Sequence, residues 1–261
     1  MNAVHSLPKQ ALATFLAFAV STLMPVAPSP AQQMPSPPCT ECTKLNNTAK
    51  LVTQAAIRDL QNVIDRYKAG ALRIEDVQAS ISTSRLYFGY LEENGINAMV
   101  DSKLKDPDFR RQVLEFIPTD AEAQSLSQKM TSQSGGSAAV SSTQIKESYS
   151  LSYVQRETLL TEVSATGMKE VQSRILLAME GLKNRVASGR IAGRGNQRHS
   201  VVPVSLTISS SPTPPVELCG WLHLAAIIFG TMCFFGCIPC CGAAFMMEIY
   251  AWLCDNGLLL I

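Results

Sequence analysis

The chain has 261 residues, 46% of them hydrophobic and 16% charged, with eight cysteines and a formal net charge of +1. That length and apolar content suffice for one or two modest cores. A balance this close to neutral excludes a general electrostatic attraction to nucleic acid or to an acidic substrate. The charge is unevenly spread, however. Lys183, Arg185, Arg190, Arg194 and Arg198 follow one another with no acid between them, whereas from Cys219 to the end there is no Lys or Arg, only Glu248 and Asp255.

Residues 1–31 read as a secretory signal peptide. Lys9 gives the positive start, Ala11 to Met24 the apolar stretch, Pro25 and Pro28 a helix stop, and Ser29-Pro30-Ala31 the small residues of a cleavage site. The apolar stretch is shorter than the ~20 residues a membrane span needs. Export would place the eight cysteines in an oxidising compartment, where disulfides are expected ahead of metal or catalysis.

Residues 32–131 read as a helical prodomain. Leu45, Ala49, Val52, Ala56, Leu60, Val63 and Tyr67 recur at steps of three or four and end at Gly70. A second helix is expected from about Ile74, with Val77, Ile81, Phe88 and Leu91 inward and Gly95 as its C-terminal cap. Asp106-Pro107 pairs an N-cap residue with proline at the first helical position. Thr119 and Glu122 form the spacing of a capping box. No β-alternation competes with these patterns, so a small helical bundle is predicted.

Residues 132–143, rich in Ser and Gly, read as a flexible linker. Residues 144–189 carry one long amphipathic helix, roughly Ser150 to Ala187, with Gly167 as a possible break. Residues 190–218 form a basic and then Ser/Thr/Pro-rich spacer, a reachable site for proteolysis with Arg198, Leu218 and Cys219 marking the processing region.

Residues 219–261 are the most informative. Between Trp221 and Leu253 the only carboxylate is Glu248, and His223 is the only other ionisable side chain apart from cysteine and tyrosine. Pro239, flanked by Gly236 and Gly242, breaks the run near its middle. Two short helices, about Trp221 to Gly236 and Ala243 to Leu253, therefore fold into an apolar hairpin. Folding back at Pro239 brings Cys219 towards Cys254 and leaves Cys233, Cys237, Cys240 and Cys241 at the turn, with adjacent Cys240 and Cys241 seeking different partners. Such staples suit a peptide too small to hold a core alone. Trp221, Tyr250 and Trp252 fall at the outer helix ends, where aromatics anchor at a bilayer surface. Packing in a protein core is the alternative. Glu248 and His223 are placed to form a buried acid–base pair, or Glu248 simply reaches the interface or stays protonated.

Other chemistries fit less well. Cys39-x-x-Cys42 with Cys237-x-x-Cys240 has the outline of paired zinc ligands, but the pairs stand almost two hundred residues apart. Cys237-Ile238-Pro239-Cys240 has the form of a redox dithiol, but no strand precedes it. Cys39 and Cys42 are expected to bridge each other. No metal, cofactor or enzymatic activity is predicted.

Cys219-Gly220-Trp221-Leu222, at the head of a Cys-rich apolar tail that follows an export signal, a helical region and a spacer, resembles the sporulation-delaying-protein toxins. More loosely, the layout is similar to halocin-type Cys-rich bacteriocins. The resemblance implies a secreted precursor whose released C-terminal peptide is a disulfide-tied membrane hairpin. Its implied partners are a lipid bilayer, a processing protease and a cognate immunity protein. This tail departs from the pattern in its six cysteines, its lack of basic residues and its terminal Leu258-Leu259-Leu260-Ile261. The alternative reading is an envelope protein whose exported helical domain is held by a C-terminal transmembrane hairpin. In sum, the sequence predicts a mainly α protein, an N-terminal bundle and a Cys-rich apolar hairpin joined by disordered linkers.

Overall fold

The computed structural model describes residues 40–136, 138–191 and 216–259, with side chains from Thr48 in the first helix and from Leu218 in the first helix of the last stretch. The signal segment, Cys39, Arg198 and most of the spacer lie outside the described residues, as does the side chain of Cys42. Ten helices and no strand occupy the described residues.

The first apolar stripe closes as α1 (Thr40–Lys68), with Ala56, Leu60 and Val63 fully buried. Helix α2 (Ile74–Glu93) buries Val77, Ile81, Phe88 and Leu91 as the pattern predicts. Between it and the next expected start lies a helix the pattern did not suggest, α3 (Ile96–Lys103), whose eight residues include only two buried ones, Asn97 and Val100. Gly95, expected as the C-terminal cap of α2, follows Asn94 at φ 68° with its amide on the Glu92 carbonyl at 3.0 Å, and it also opens α3.

Helix α4 (Pro107–Glu115) begins as Asp106-Pro107 dictates, the Asp106 carboxylate accepting the Asp108 amide at 2.9 Å. Helix α5 (Asp120–Gln133) starts on the Thr119/Glu122 capping box, in which Glu122 Oε2 accepts the Thr119 amide at 2.8 Å.

The expected flexible linker at 132–143 is different in the structure. Its described residues form the end of α5, a turn and the start of α6 (Ser142–Ser148). Ser134 is fully buried and its hydroxyl donates to the Ala138 carbonyl at 2.6 Å, while Val140 is buried and its carbonyl accepts from Ser127 Oγ at 2.6 Å. Small polar residues here satisfy backbone groups inside a packed turn.

The expected single helix of residues 144–189 is also divided. After α6 come α7 (Tyr153–Thr166) and α8 (Met168–Ala187), separated by Gly167 at φ 84°, ψ 154°. That conformation belongs almost only to glycine, and it ends one helix while starting the other. Gly167 has no side chain to cap α8, so Asp101 of α3 does it from across the fold, accepting the Met168 amide at 3.0 Å. A reciprocal amide pair, Asn97 with Gln172, at 2.9 and 2.8 Å, fixes α3 to α8.

One buried arginine joins the middle of the chain. Arg156 of α7 is 1% exposed, and its guanidinium donates to the carbonyls of Val113, Phe116, Leu151 and Tyr149. Val113 and Phe116 lie at the end of α4, where carbonyls have no helical partner and the helix dipole favours a cation. The remaining helices are α9 (Val216–Phe234) and α10 (Ile238–Asp255), which lie against each other. Thr40 to Ile261 forms a single unit, so the segments expected as prodomain, long helix and C-terminal peptide are packed together.

Candidate functional site: the disulfide-tied apolar hairpin

The turn between α9 and α10 follows from local chemistry. Gly236 takes φ 102° while the Gly236 amide reaches the Cys233 carbonyl at 3.1 Å and the Cys237 amide reaches the Met232 carbonyl at 3.0 Å. This is a glycine-based helix terminus that satisfies the last carbonyls of α9. The apolar run breaks near its middle as the sequence predicts, but at Gly236 rather than at Pro239. Pro239 sits in the first turn of α10, where no amide hydrogen is needed, so the helix begins at Ile238 rather than near Ala243.

Three disulfides tie the pair. Cys219–Cys254 closes the open end, 35 residues apart in sequence, in the pairing predicted for it. At the turn, Cys233 bridges Cys241 and Cys237 bridges Cys240, so the adjacent cysteines do take different partners. All three bridges begin and end between Cys219 and Cys254.

The hairpin does not lie open. From Leu218 through Cys233 only Cys219, Gly220 and His223 escape full burial, and from Cys240 through Cys254 only Glu248 and Trp252 do. Helix α9 packs against α4, α5, α6, α7 and α8, and α10 against α1 and α5. Helix α2 reaches α10 through Tyr250, whose hydroxyl donates to Ser84 Oγ at 2.5 Å and whose ring lies 6.0 Å from that of Phe88. Seven of the eight preceding helices thus form a sheath around the pair.

Among the described residues no helix is long and apolar enough to cross a membrane, and the hairpin expected in a bilayer is here covered by the other helices. Trp221, Tyr250 and Trp252, expected at a bilayer surface, face protein instead. Trp221 Nε1 donates to Glu162 at 2.8 Å, with the Arg174 guanidinium 4.4 Å from its ring. The Lys68 ammonium stands 4.9 Å over Trp252. A stripe that is apolar on every side reads the same whether lipid or protein covers it. Leu218, expected at a processing point, is buried within α9, so the bond before Cys219 lies inside a helix in this form.

Glycines mark where the sheath comes closest. A β-carbon on Gly220 would meet Leu159 of α7 at 3.0 Å, one on Gly230 the Tyr149 hydroxyl at 2.5 Å, and one on Gly242 Thr53 of α1 at 2.8 Å. Polar groups add direction. Tyr149 donates to the Ile227 carbonyl at 3.3 Å, and the Arg185 guanidinium holds the carbonyls of Gly257 and Leu258 just beyond α10. Arg156, Arg185 and Ser148 carry no sequence signal of these roles, because each acts on a distant segment.

Glu248 and His223 do not bond directly. Ser148 Oγ of α6 donates to Glu248 Oε2 at 2.5 Å, and His223 Nε2 pairs with Asp255 at 3.1 Å. Burial pushes the Glu248 carboxyl up to about 7, against the opposing influence of the Ser148 hydrogen bond and of His223. For His223, burial works against the charged ring, but the hydrogen bond and charge of Asp255 outweigh it and leave the pKa raised. A cleft of about 270 Å³ lined by Gln144, Glu147, Ser148, His223, Glu248 and Asp255 gives water access to these groups. No cluster of three or more potential metal ligands occurs among the described residues.

Comparison with known protein families, with curated proteins and with solved structures finds no match to this chain.

Proposed function

We propose that the chain is an exported precursor in which α1, α2 and α4–α8 sheathe a hydrophobic, disulfide-tied hairpin, and that cutting the spacer frees this hairpin to enter a target membrane. The observation that carries the reading is covalent self-containment. The described bridges stay inside the hairpin, so none of them ties it covalently to the sheath. A cut within residues 192–215 would convert the core of one chain into a separate, non-covalently held ligand.

The chemistry of the hairpin supports the same reading. It is apolar on nearly every face, has no Lys or Arg, and would be insoluble without a partner. The sheath supplies apolar walls and caps both tryptophans with cations, as a holder of such cargo must. The resemblance to the toxin precursors agrees with this order of parts, and a cognate immunity protein would be the producing cell's protection. An envelope anchor held by the same hairpin is the competing function, and it would need the hairpin to leave the sheath without cleavage.

Mass spectrometry of the medium and of the membranes of producing cells tests the proposal. The expected result is a released species that begins upstream of Cys219, within residues 192–218, and carries three intact disulfides. Full-length chain alone, retained in the membrane with only its signal removed, would refute release and support the anchor.

A further inference from the structure

The three bridges of the hairpin are not chemically equivalent, and the geometry points to Cys237–Cys240 as a thiol–disulfide exchange site that accepts electrons from a dithiol, while the other two bridges stay closed. The inference stands on the folded chain alone and holds whether or not the hairpin reaches a membrane.

Access is the first difference. Cys237 is partly exposed at the tip of the hairpin, between Phe235 and Ile238, which are 61% and 67% exposed. Its partner Cys240 is fully buried. An incoming thiolate therefore has one sulfur to attack, and Cys240 is the leaving group. Cys233 and Cys241 are both buried, at 1% and 4% exposure, and offer no entry. Cys219 is partly exposed, so access alone does not separate it from Cys237.

The leaving group separates them. Cys240 and Cys254 lie at opposite ends of the same helix. Cys240 is the third residue of α10, within its first turn, where the positive end of the helix dipole stabilises a thiolate. Cys254 is in the last turn, at the negative end of the helix dipole, with the Leu259 carbonyl oxygen 3.6 Å from its sulfur. Exchange is faster when the departing thiolate is the more stable one.

The reaction balances with a dithiol as the named reductant. Its first thiolate attacks Cys237 Sγ, the Cys237–Cys240 bond breaks, and Cys240 departs as a thiolate that takes a proton from solvent. The second thiolate of the donor then attacks the donor's own sulfur in the mixed disulfide and releases Cys237 as a thiolate, which also takes a proton from solvent. Two electrons and two protons pass to the pair, and the donor leaves as its own disulfide.

The test is a peptide map of the oxidised full-length chain treated with limiting dithiothreitol at neutral pH, quenched at intervals with iodoacetamide. Among the three hairpin bridges, label should reach Cys237 and Cys240 at least about tenfold faster than Cys219, Cys254, Cys233 or Cys241. Equal or earlier labelling of either other bridge overturns the assignment. With the monothiol glutathione the adduct should form on Cys237 and the label on Cys240, and the reverse pattern contradicts the stated direction of attack. The double variant C237S/C240S should lose the fast phase. Persistence of that phase elsewhere in the hairpin would overturn the proposal, and the map of the natural chain decides the matter if the variant does not fold.

Discussion

Gly242 of α10 lies so close to Thr53 of α1 that a β-carbon on the glycine would fall 2.8 Å from Thr53 Cγ2. Thr53 cannot easily turn away, because its hydroxyl donates to the Ala49 carbonyl at 2.8 Å. The same added atom would also be 3.4 Å from the Tyr87 hydroxyl, so the hairpin touches two sheath helices at one backbone position.

Gly242→Ala should therefore weaken the grip of the sheath. Alanine gains up to about 1 kcal/mol in helix propensity, but overpacking against a fixed side chain costs roughly 1–3 kcal/mol. A lower melting temperature is expected, and Thr53→Ala in the same chain should restore most of the loss by removing the methyl group in the way. A double-mutant cycle in denaturant measures the coupling. Strictly additive effects would show that this contact does not matter.

Arg156→Ala should be among the most damaging single changes. It leaves four or more carbonyls at the end of α4 and in the turn before α7 without their donor. Losses on the order of 3 kcal/mol or more are expected in chemical denaturation. Arg156→Lys should recover little, since an ammonium cannot span the same fork of carbonyls. Full recovery by lysine would mean that charge alone, rather than the fork, holds this junction.

Acid should tighten the folded chain and neutral pH should loosen it. Burial raises the folded-state pKa of Glu248 to about 7, from about 4.5 in the unfolded chain. Its contribution is fully present below the unfolded value and is lost as pH rises through the folded one. The difference is about 3 kcal/mol at ~1.4 kcal/mol per unit. His223, whose pKa is also raised, acts with the same sign. Glu248→Gln keeps an acceptor for Ser148 and should flatten the decline in melting temperature between pH 5 and 8. An equal slope in both proteins would remove Glu248 as its source.

Cys219→Ser should expose the ends of the hairpin. The bridge to Cys254 closes a long loop, and opening it costs about 4 kcal/mol in the chain-entropy account. Limited proteolysis should cut the variant near Leu218 and beyond Cys254, positions that resist in the parent chain. Cys254→Ser should behave alike. Unchanged resistance in both would argue that the sheath alone holds those ends.

Much of the helical plan is legible in the sequence because its signals are local. Asp106-Pro107 and the Thr119/Glu122 pair start α4 and α5 through groups two or three residues away. The Cys219–Cys254 pairing follows from a single fold-back and the distance each cysteine stands from it. What covers the hairpin is not local. Helix α9 has no polar face to say whether lipid or protein surrounds it, so Trp221 and Tyr250 read as bilayer anchors and are found against Glu162 and Ser84. Gly167 gives only a possible break, since glycine alone does not reveal that Asp101 waits to cap the helix after it. Ser134 and Val140 look like linker residues because their burial depends on α5 and α6 meeting.

The account depends most on the hairpin being separable cargo. A full-length chain with a protease site placed in residues 199–215 can be nicked there and mixed with neutral phosphatidylcholine vesicles for flotation. In buffer the two pieces should stay together. With vesicles the fragment containing Cys219 to Cys254 should float and the sheath should remain below, while the unnicked chain does neither. A nicked chain whose hairpin stays in the aqueous fraction would contradict the proposed function.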